Sequence, residues 1–112
     1  MTTVSIKHRV LTTIDTTEVT LPFYFTTGKL SKSYCCMTAE FKLITIWALR
    51  NEGMSFDVRS YDDLEEVAES IAYDMNHYEE FAIIDPAVFH HQVSAAHREL
   101  FYCVNPELKP KA

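Results

Sequence analysis

The alternation of apolar and polar positions changes period halfway along the chain. From "VSIKHRVLTTI" to "MSFDVR" the repeat is two residues, as in strands that bury one face, and from "SYDDLEEVAESIAYDMNHYEE" onward it is three to four, as in amphipathic helices. In the first stretch Val4, Ile6, Val10 and Ile14 share a side, while Ser5, Lys7, Arg9 and Thr13 face away. In "EVTLPFYFTT", Val19, Leu21, Phe23 and Phe25 point inward, and Pro22, which has no N–H to give to a ladder, marks an edge or a bulge. Asp15 to Thr17 form the expected hairpin turn between these two strands. "SYCCMT", "FKLITIWAL" and "MSFDVR" supply three more strands, joined through Ala39–Glu40 and Asn51–Gly53. Ile44, Ile46 and Ala48 alternate with Leu43, Thr45, Trp47 and Leu49, so the fourth strand is expected to be central and covered on both faces.

In the second half, Leu64, Val67, Ile71, Met75 and Tyr78 recur at helical spacing, and Ser60 followed by Asp63 has the spacing of a capping box. A second helix is expected from Pro86 to about Val104, with Asp85 as N-cap, Ile84 packed on Phe89, and Phe89, Val93, Ala96, Leu100 and Val104 as its buried face. "NPELKPKA", with two prolines, reads as a loose tail over 105–112. Strands followed by helices without alternation predict an α+β domain over 1–104: an antiparallel β-meander of about five strands, then two α-helices packed on one sheet face. The other face would show Leu11, Tyr24, Tyr34, Leu43 and Trp47, which makes Tyr24, Tyr34 and Trp47 candidates for self-association as a homodimer.

Composition agrees with one folded domain, because 112 residues that are 47% hydrophobic can bury a core without staples. No apolar run approaches the ~20 residues a membrane helix needs, so no membrane partner is expected and a cytoplasmic location is. Cys35 and Cys36 are adjacent and Cys103 cannot pair with both, so reduced, buried thiols are the expectation.

Candidate chemistry is sparse. The only glycines, Gly28 and Gly53, are far apart, which excludes the common glycine-rich phosphate cradles, and no cofactor motif is present. "VFHHQVSAAH" holds His90, His91 and His97, but on one continuous helix His90 and His97 would stand about 10 Å apart along the axis, too far to share a metal unaided. A Cys/His- or metal-dependent enzyme centred on Cys35, His90, His97 and Cys103, with His77 as a further ligand, is therefore the secondary reading, and boundary histidines covering core edges the first.

Charge changes the picture more. Between Asp62 and Glu80 stand eight acids and no Lys or Arg; the chain is at -6 in all, so the remainder sums to +2 and the acidity belongs to one element. Glu69 and Glu80 gain nothing from the dipole of the first turn, and like charges three or four apart cost a helix a few tenths of a kcal/mol. These carboxylates are expected to lie open to water, where nothing separates their pKa values for acid and base roles. The expectation is a small non-enzymatic interaction or regulatory module, an inhibitor or adaptor. Its acidic helix stripe (Asp62, Glu65, Glu66, Glu69, Tyr73, Glu80) would dock on another protein's basic surface, that of a nucleic-acid-handling protein included. Direct nucleic-acid binding is not expected, since Lys7, Arg9, Lys29, Lys32 and Lys42 are scattered.

Overall fold

The first reversal of the chain comes earlier than the alternation predicts. In the computed structural model, which describes residues 2–10, 12–28, 32–49, 53–77, 80–93 and 98–109, β1 (Thr2–Val10) pairs antiparallel with β2 (Thr13–Leu21) from Thr2↔Leu21 to Val10↔Thr13. Asp15 to Thr17 are thus strand residues rather than the turn, and Ile14, expected inward, is 75% exposed. A two-residue period assigns faces but says nothing of where a strand ends. Threonine-rich 11–17 suits a strand, and the earlier turn sets Val4 opposite Val19, both buried.

Pro22 is a break between sheets, not an edge residue inside one strand. The Leu21–Pro22 bond is cis, and β3 (Phe23–Thr27) belongs to a separate five-stranded sheet with β4 (Ser33–Met37), β5 (Lys42–Leu49), β6 (Gly53–Ser60) and the two-residue β7 (Ala82–Ile83). The order is β6-β5-β4-β3-β7, antiparallel throughout. Between β4 and β5, Thr38 pins the turn: its Oγ1 accepts from the N–H groups of Glu40 (3.2 Å) and Lys42 (3.1 Å), and Phe41 takes the left-handed φ of 66° that closes it. β5, expected to be central and covered on both faces, is an interior strand between β4 and β6, with Ile44 and Ile46 buried on one face and Trp47 39% exposed on the other.

The register writes two different faces. On one, the rows Tyr24–Cys36–Ile44–Val58 and Thr26–Tyr34–Ile46–Phe56 are almost wholly apolar. On the other, the rows Phe23–Met37–Leu43–Arg59, Phe25–Cys35–Thr45–Asp57 and Thr27–Ser33–Trp47–Ser55 grow more polar toward β6. The β1–β2 ribbon and α1 (Leu64–His77) cover the apolar end of this second face, with Val4, Ile6, Val19, Leu21, Val67 and Ile71 packed on Phe23, Phe25, Cys35 and Met37. The Arg9 N–H donates to Asn76 Oδ1 at 2.6 Å and ties ribbon to helix. The helix is capped by Asp63, whose Oδ1 accepts from the Glu66 N–H at 2.9 Å, and not by Ser60, which ends β6.

The all-apolar face is covered by the last third of the chain. Here the expected second helix divides into α2 (Pro86–His91) and α3 (Arg98–Val104), with Asp85 capping α2 as its sequence predicts. Because α2 ends at His91, the helical phase restarts: Phe89, Val93 and Phe101 are buried, whereas Leu100 and Val104, assigned to the core by a continuous wheel, are 56% and 46% exposed, and Ala96 lies outside the described residues. α1 on the one hand and α2 with α3 on the other therefore lie on opposite sheet faces rather than on one, since Val67 and Ile71 pack on Phe23 and Phe25 while Phe89 and Phe101 pack on Tyr24, Cys36, Ile44 and Ile46. Nor is the segment from 105 loose as far as it is described. Asn105 and Leu108 are buried, Pro106–Leu108 form a 3-10 turn, and Glu107 Oε1 meets Lys42 Nζ at 2.7 Å. The protein is an α+β fold of antiparallel sheets, and no helix among the described residues is long and apolar enough to cross a membrane.

Candidate functional site

α1 covers only the Phe23–Phe25 end of its sheet face, so the β5–β6 end is left as a cleft. Its floor is Cys35 and Thr45, its sheet-side wall Asp57 and Arg59, its helix-side wall Asp74, and Trp47 stands at its exposed end; the volume is about 200 Å³. Strand alternation explains the sheet side, because Asp57 and Arg59 project to this face while Phe56 and Val58 project to the other. On the helix, Asp74 is one residue past Tyr73 and so about 100° further round, which turns it from the outer stripe toward the sheet. Leu43, Arg59 and Asp74 also belong to a wider, shallower groove of about 530 Å³ that continues along α1 past Tyr61, Glu66, Glu69 and Tyr73.

The electrostatics of the cleft are set by enclosure. Burial raises the Asp74 carboxyl from its usual 3.8 to about 6, and the nearby Arg59 guanidinium and His77 ring pull it down only in part. The acids of this helix are thus not all open to water, since Glu66 and Asp74 are half-buried. The Cys35 thiol is pushed up to about 12, again chiefly by burial, although hydrogen bonds with Thr45 and Thr27 favour the thiolate. It is a neutral group at physiological pH.

The predicted docking stripe is only partly assembled. Glu66, Glu69 and Tyr73 line the groove, with Tyr73 59% exposed and stacked on the His77 ring at 4.8 Å. Asp62 and Glu65 are exposed beside the helix start, but Glu80 lies past the helix, which ends at His77. The self-association set is not one surface. Tyr24 is buried against Phe89 (ring centroids 5.4 Å) and Tyr34 packs at the edge of the same cluster, while Trp47 belongs to the opposite sheet face. Residue parity decides this, since 24 and 34 pair into even-numbered rows and 47 into an odd-numbered one.

The Cys/His set is also dispersed. Cys35 faces the α1 side and His90 packs on the other, where its Nδ1 is 2.9 Å from the Tyr102 hydroxyl and burial lowers its pKa. Cys103 is exposed, and His97 lies outside the described residues. Cys36 shares a hydrogen bond with the Tyr24 hydroxyl, and burial pushes its thiol up to about 12 as well. Among the described residues no three His, Cys, Asp or Glu side chains are placed to hold a metal ion. Sequence reasoning missed the grouping of Thr45, Asp57, Arg59 and Asp74; its signal was the polar member of each alternating pair in β5 and β6, together with the offset of Asp74 from the stripe.

No family model matches the chain, and neither do any of the curated proteins or solved structures with which it was compared.

Proposed function

We propose that the chain is a small non-catalytic interaction module that receives the basic surface of another protein on the outer flank of α1. The observation that carries this reading is that Glu66, Glu69 and Asp74 are not scattered over a flat helix face but line one groove together with Tyr61 and Tyr73, where three carboxylates outnumber the one guanidinium, Arg59, among the described lining residues. A concave acidic surface focuses its field on an approaching cation, and aromatic side chains set among charges are the residues interfaces favour as anchors. Tyr73 fits that part because it is large and mostly uncovered, and its ring is already held by His77. The high pKa of the buried Cys35 and Cys36 thiols speaks for the same non-catalytic reading, since the thiolate is the nucleophile.

The test compares the parent with the double variant Glu66→Lys, Glu69→Lys as immobilised bait in an extract of the native host. A partner that the parent retains and the folded variant loses, with association slowing as salt shortens the Debye length from ~10 Å at 0.1 M, is the expected result. Equal retention and equal association rates for both baits at low salt would overturn it.

A further inference from the structure

The five-stranded sheet ends differently on its two sides. Beyond β3 the last strand is β7, only two residues long. On the other side β6 runs for eight residues in unbroken register with β5, with no bulge and no proline, and no strand among the described residues pairs with its outer side. A long regular edge is a template for another strand, and natural sheets blunt such edges by shortness, proline or bulges. We propose that the β6 edge is an interface with a second copy of this chain. The two β6 strands pair antiparallel about a two-fold axis through Val58, so that Asp57 of each copy stands opposite Arg59 of the other. The proposal goes beyond the docking reading and stands without it.

Backbone parity comes first. The Tyr61 N–H donates to the Phe41 carbonyl at 2.9 Å and the Thr38 N–H to the Lys42 carbonyl at 2.8 Å, so odd-numbered residues of β5 bond to β6 and even-numbered ones to β4. By the same alternation Ser55, Asp57 and Arg59 bond inward to β5, while the N–H and C=O groups of Phe56, Val58 and Ser60 point out from the edge. A second β6 meets these groups only with its own even-numbered residues, which leaves few registers.

Charge chooses among them. Asp57 and Arg59 are exposed and project to the same face of the sheet. An axis through Asp57 or through Arg59 would set like charges opposite each other, an axis through Phe56 would give Asp57 only Ser55, and an axis through Ser60 would confine the overlap to the strand end. With the axis through Val58, each Asp57 meets an Arg59 in a non-hydrogen-bonded pair, the kind whose side chains come closest. Phe56 then faces Ser60, and Val58 faces its own copy. The apolar side gains as well, because Phe56 and Val58 are half-buried at the margin of the cluster under α2 and α3, and the row Tyr24–Cys36–Ile44–Val58 would run on into Val58 and Ile44 of the copy. The β1–β2 ribbon offers no equivalent. Its formal charges are of one sign on each strand, Lys7 and Arg9 on β1, Asp15 and Glu18 on β2, so a copy of either strand brings it no opposite charge.

Sedimentation equilibrium of the full-length protein, from low micromolar to submillimolar concentration, reads the association, and a monomer–dimer equilibrium is expected. Val58→Pro, whose missing N–H points away from β5, should keep the circular dichroism of the parent and lose the dimer. Asp57→Arg and Arg59→Asp, each alone, set like charges across the axis and should weaken self-association at least about tenfold. Mixed in equal amounts, these two variants again oppose unlike charges and should form a heterodimer as tight as the parent dimer, a readout that does not depend on the proline variant folding. In amide exchange followed by NMR, the Phe56, Val58 and Ser60 amides should gain protection as concentration rises, whereas those of Ser55, Asp57 and Arg59 are protected throughout. A parent that stays monomeric at the highest concentration overturns the proposal. So does a dimer that folded Val58→Pro leaves intact, or one that neither charge variant weakens, or a mixture that associates no better than its components.

Discussion

Replacing Asp74 by asparagine should stabilise the fold at neutral pH and leave it unchanged in acid. The carboxyl titrates near 6 in the folded protein against 3.8 for an ordinary aspartate, so the folded state holds this proton more tightly than the unfolded chain does. The contribution of Asp74 to stability is therefore most favourable below pH 3.8, declines as the pH rises through the window between 3.8 and about 6, and levels off above it. At ~1.4 kcal/mol per pH unit the window corresponds to a ceiling of about 3 kcal/mol. Asp74 is only half enclosed and opens on solvent through the cleft, so screening reduces the effect, and about 1 kcal/mol is the expected gain for the neutral amide. Urea unfolding of parent and variant at pH 3.5, 5, 6.5 and 8, followed by Trp47 emission and by circular dichroism, measures the difference; the pH values are chosen to bracket the window about each pKa. Burial and the Arg59 and His77 charges act in opposite directions on this group, and the experiment weighs them. A variant less stable than the parent at pH 8, or a difference independent of pH, would mean that the charges outweigh enclosure and that the argument from burial is wrong.

Other substitutions test the packing and the thiols. Phe101→Ala should cost about 3–5 kcal/mol by denaturant unfolding, because the ring is fully buried between Phe89 and Phe56, while Leu100→Ala one residue away should cost under about 1 kcal/mol. Leu108→Ala should destabilise by about 2–3 kcal/mol, and no change in the unfolding midpoint would show that the C-terminal turn is not part of the core. Asp85→Ala should cost about 1 kcal/mol through loss of the α2 cap, read from the same unfolding curves. In the folded protein a thiol reagent at pH 7.5 should label Cys103 quickly and Cys35 and Cys36 only after unfolding; rapid labelling of either buried thiol contradicts their placement.

The sequence carried the faces of the elements better than their ends. Alternation put Val4, Val19, Phe23 and Phe25 on the inner side correctly, and helical spacing did the same for Val67 and Ile71, because burial of one face is what creates those periods. It failed at Ile14 and at Leu100 for one shared reason: each pattern was carried across a break, between Val10 and Thr13 and after His91, that the composition does not announce with Gly or Pro. The parity of 24, 34 and 47 was also legible, yet grouping them needed the pairing between strands, and register is a long-range property. Asp74 shows the same limit at the candidate site. Its offset from the acidic stripe can be read from a wheel, but its enclosure depends on Arg59 and Leu43, which stand far away along the chain and meet it only after the sheet has formed.

The order in which the two sheet faces are covered has a consequence for synthesis. A ribosome delivers the chain N-terminus first, and everything needed for the α1 layer, namely the β1–β2 ribbon, β3 to β6 and α1 itself, lies before residue 78. The opposite face, with Tyr24, Cys36, Ile44 and Ile46, waits for Phe89, Phe101 and Leu108. A nascent chain that has folded its first layer thus shows a continuous apolar wall until nearly all the described residues have left the exit tunnel. Between the emergence of His77 and that of Leu108, the residues that cover this wall are not yet all available to it.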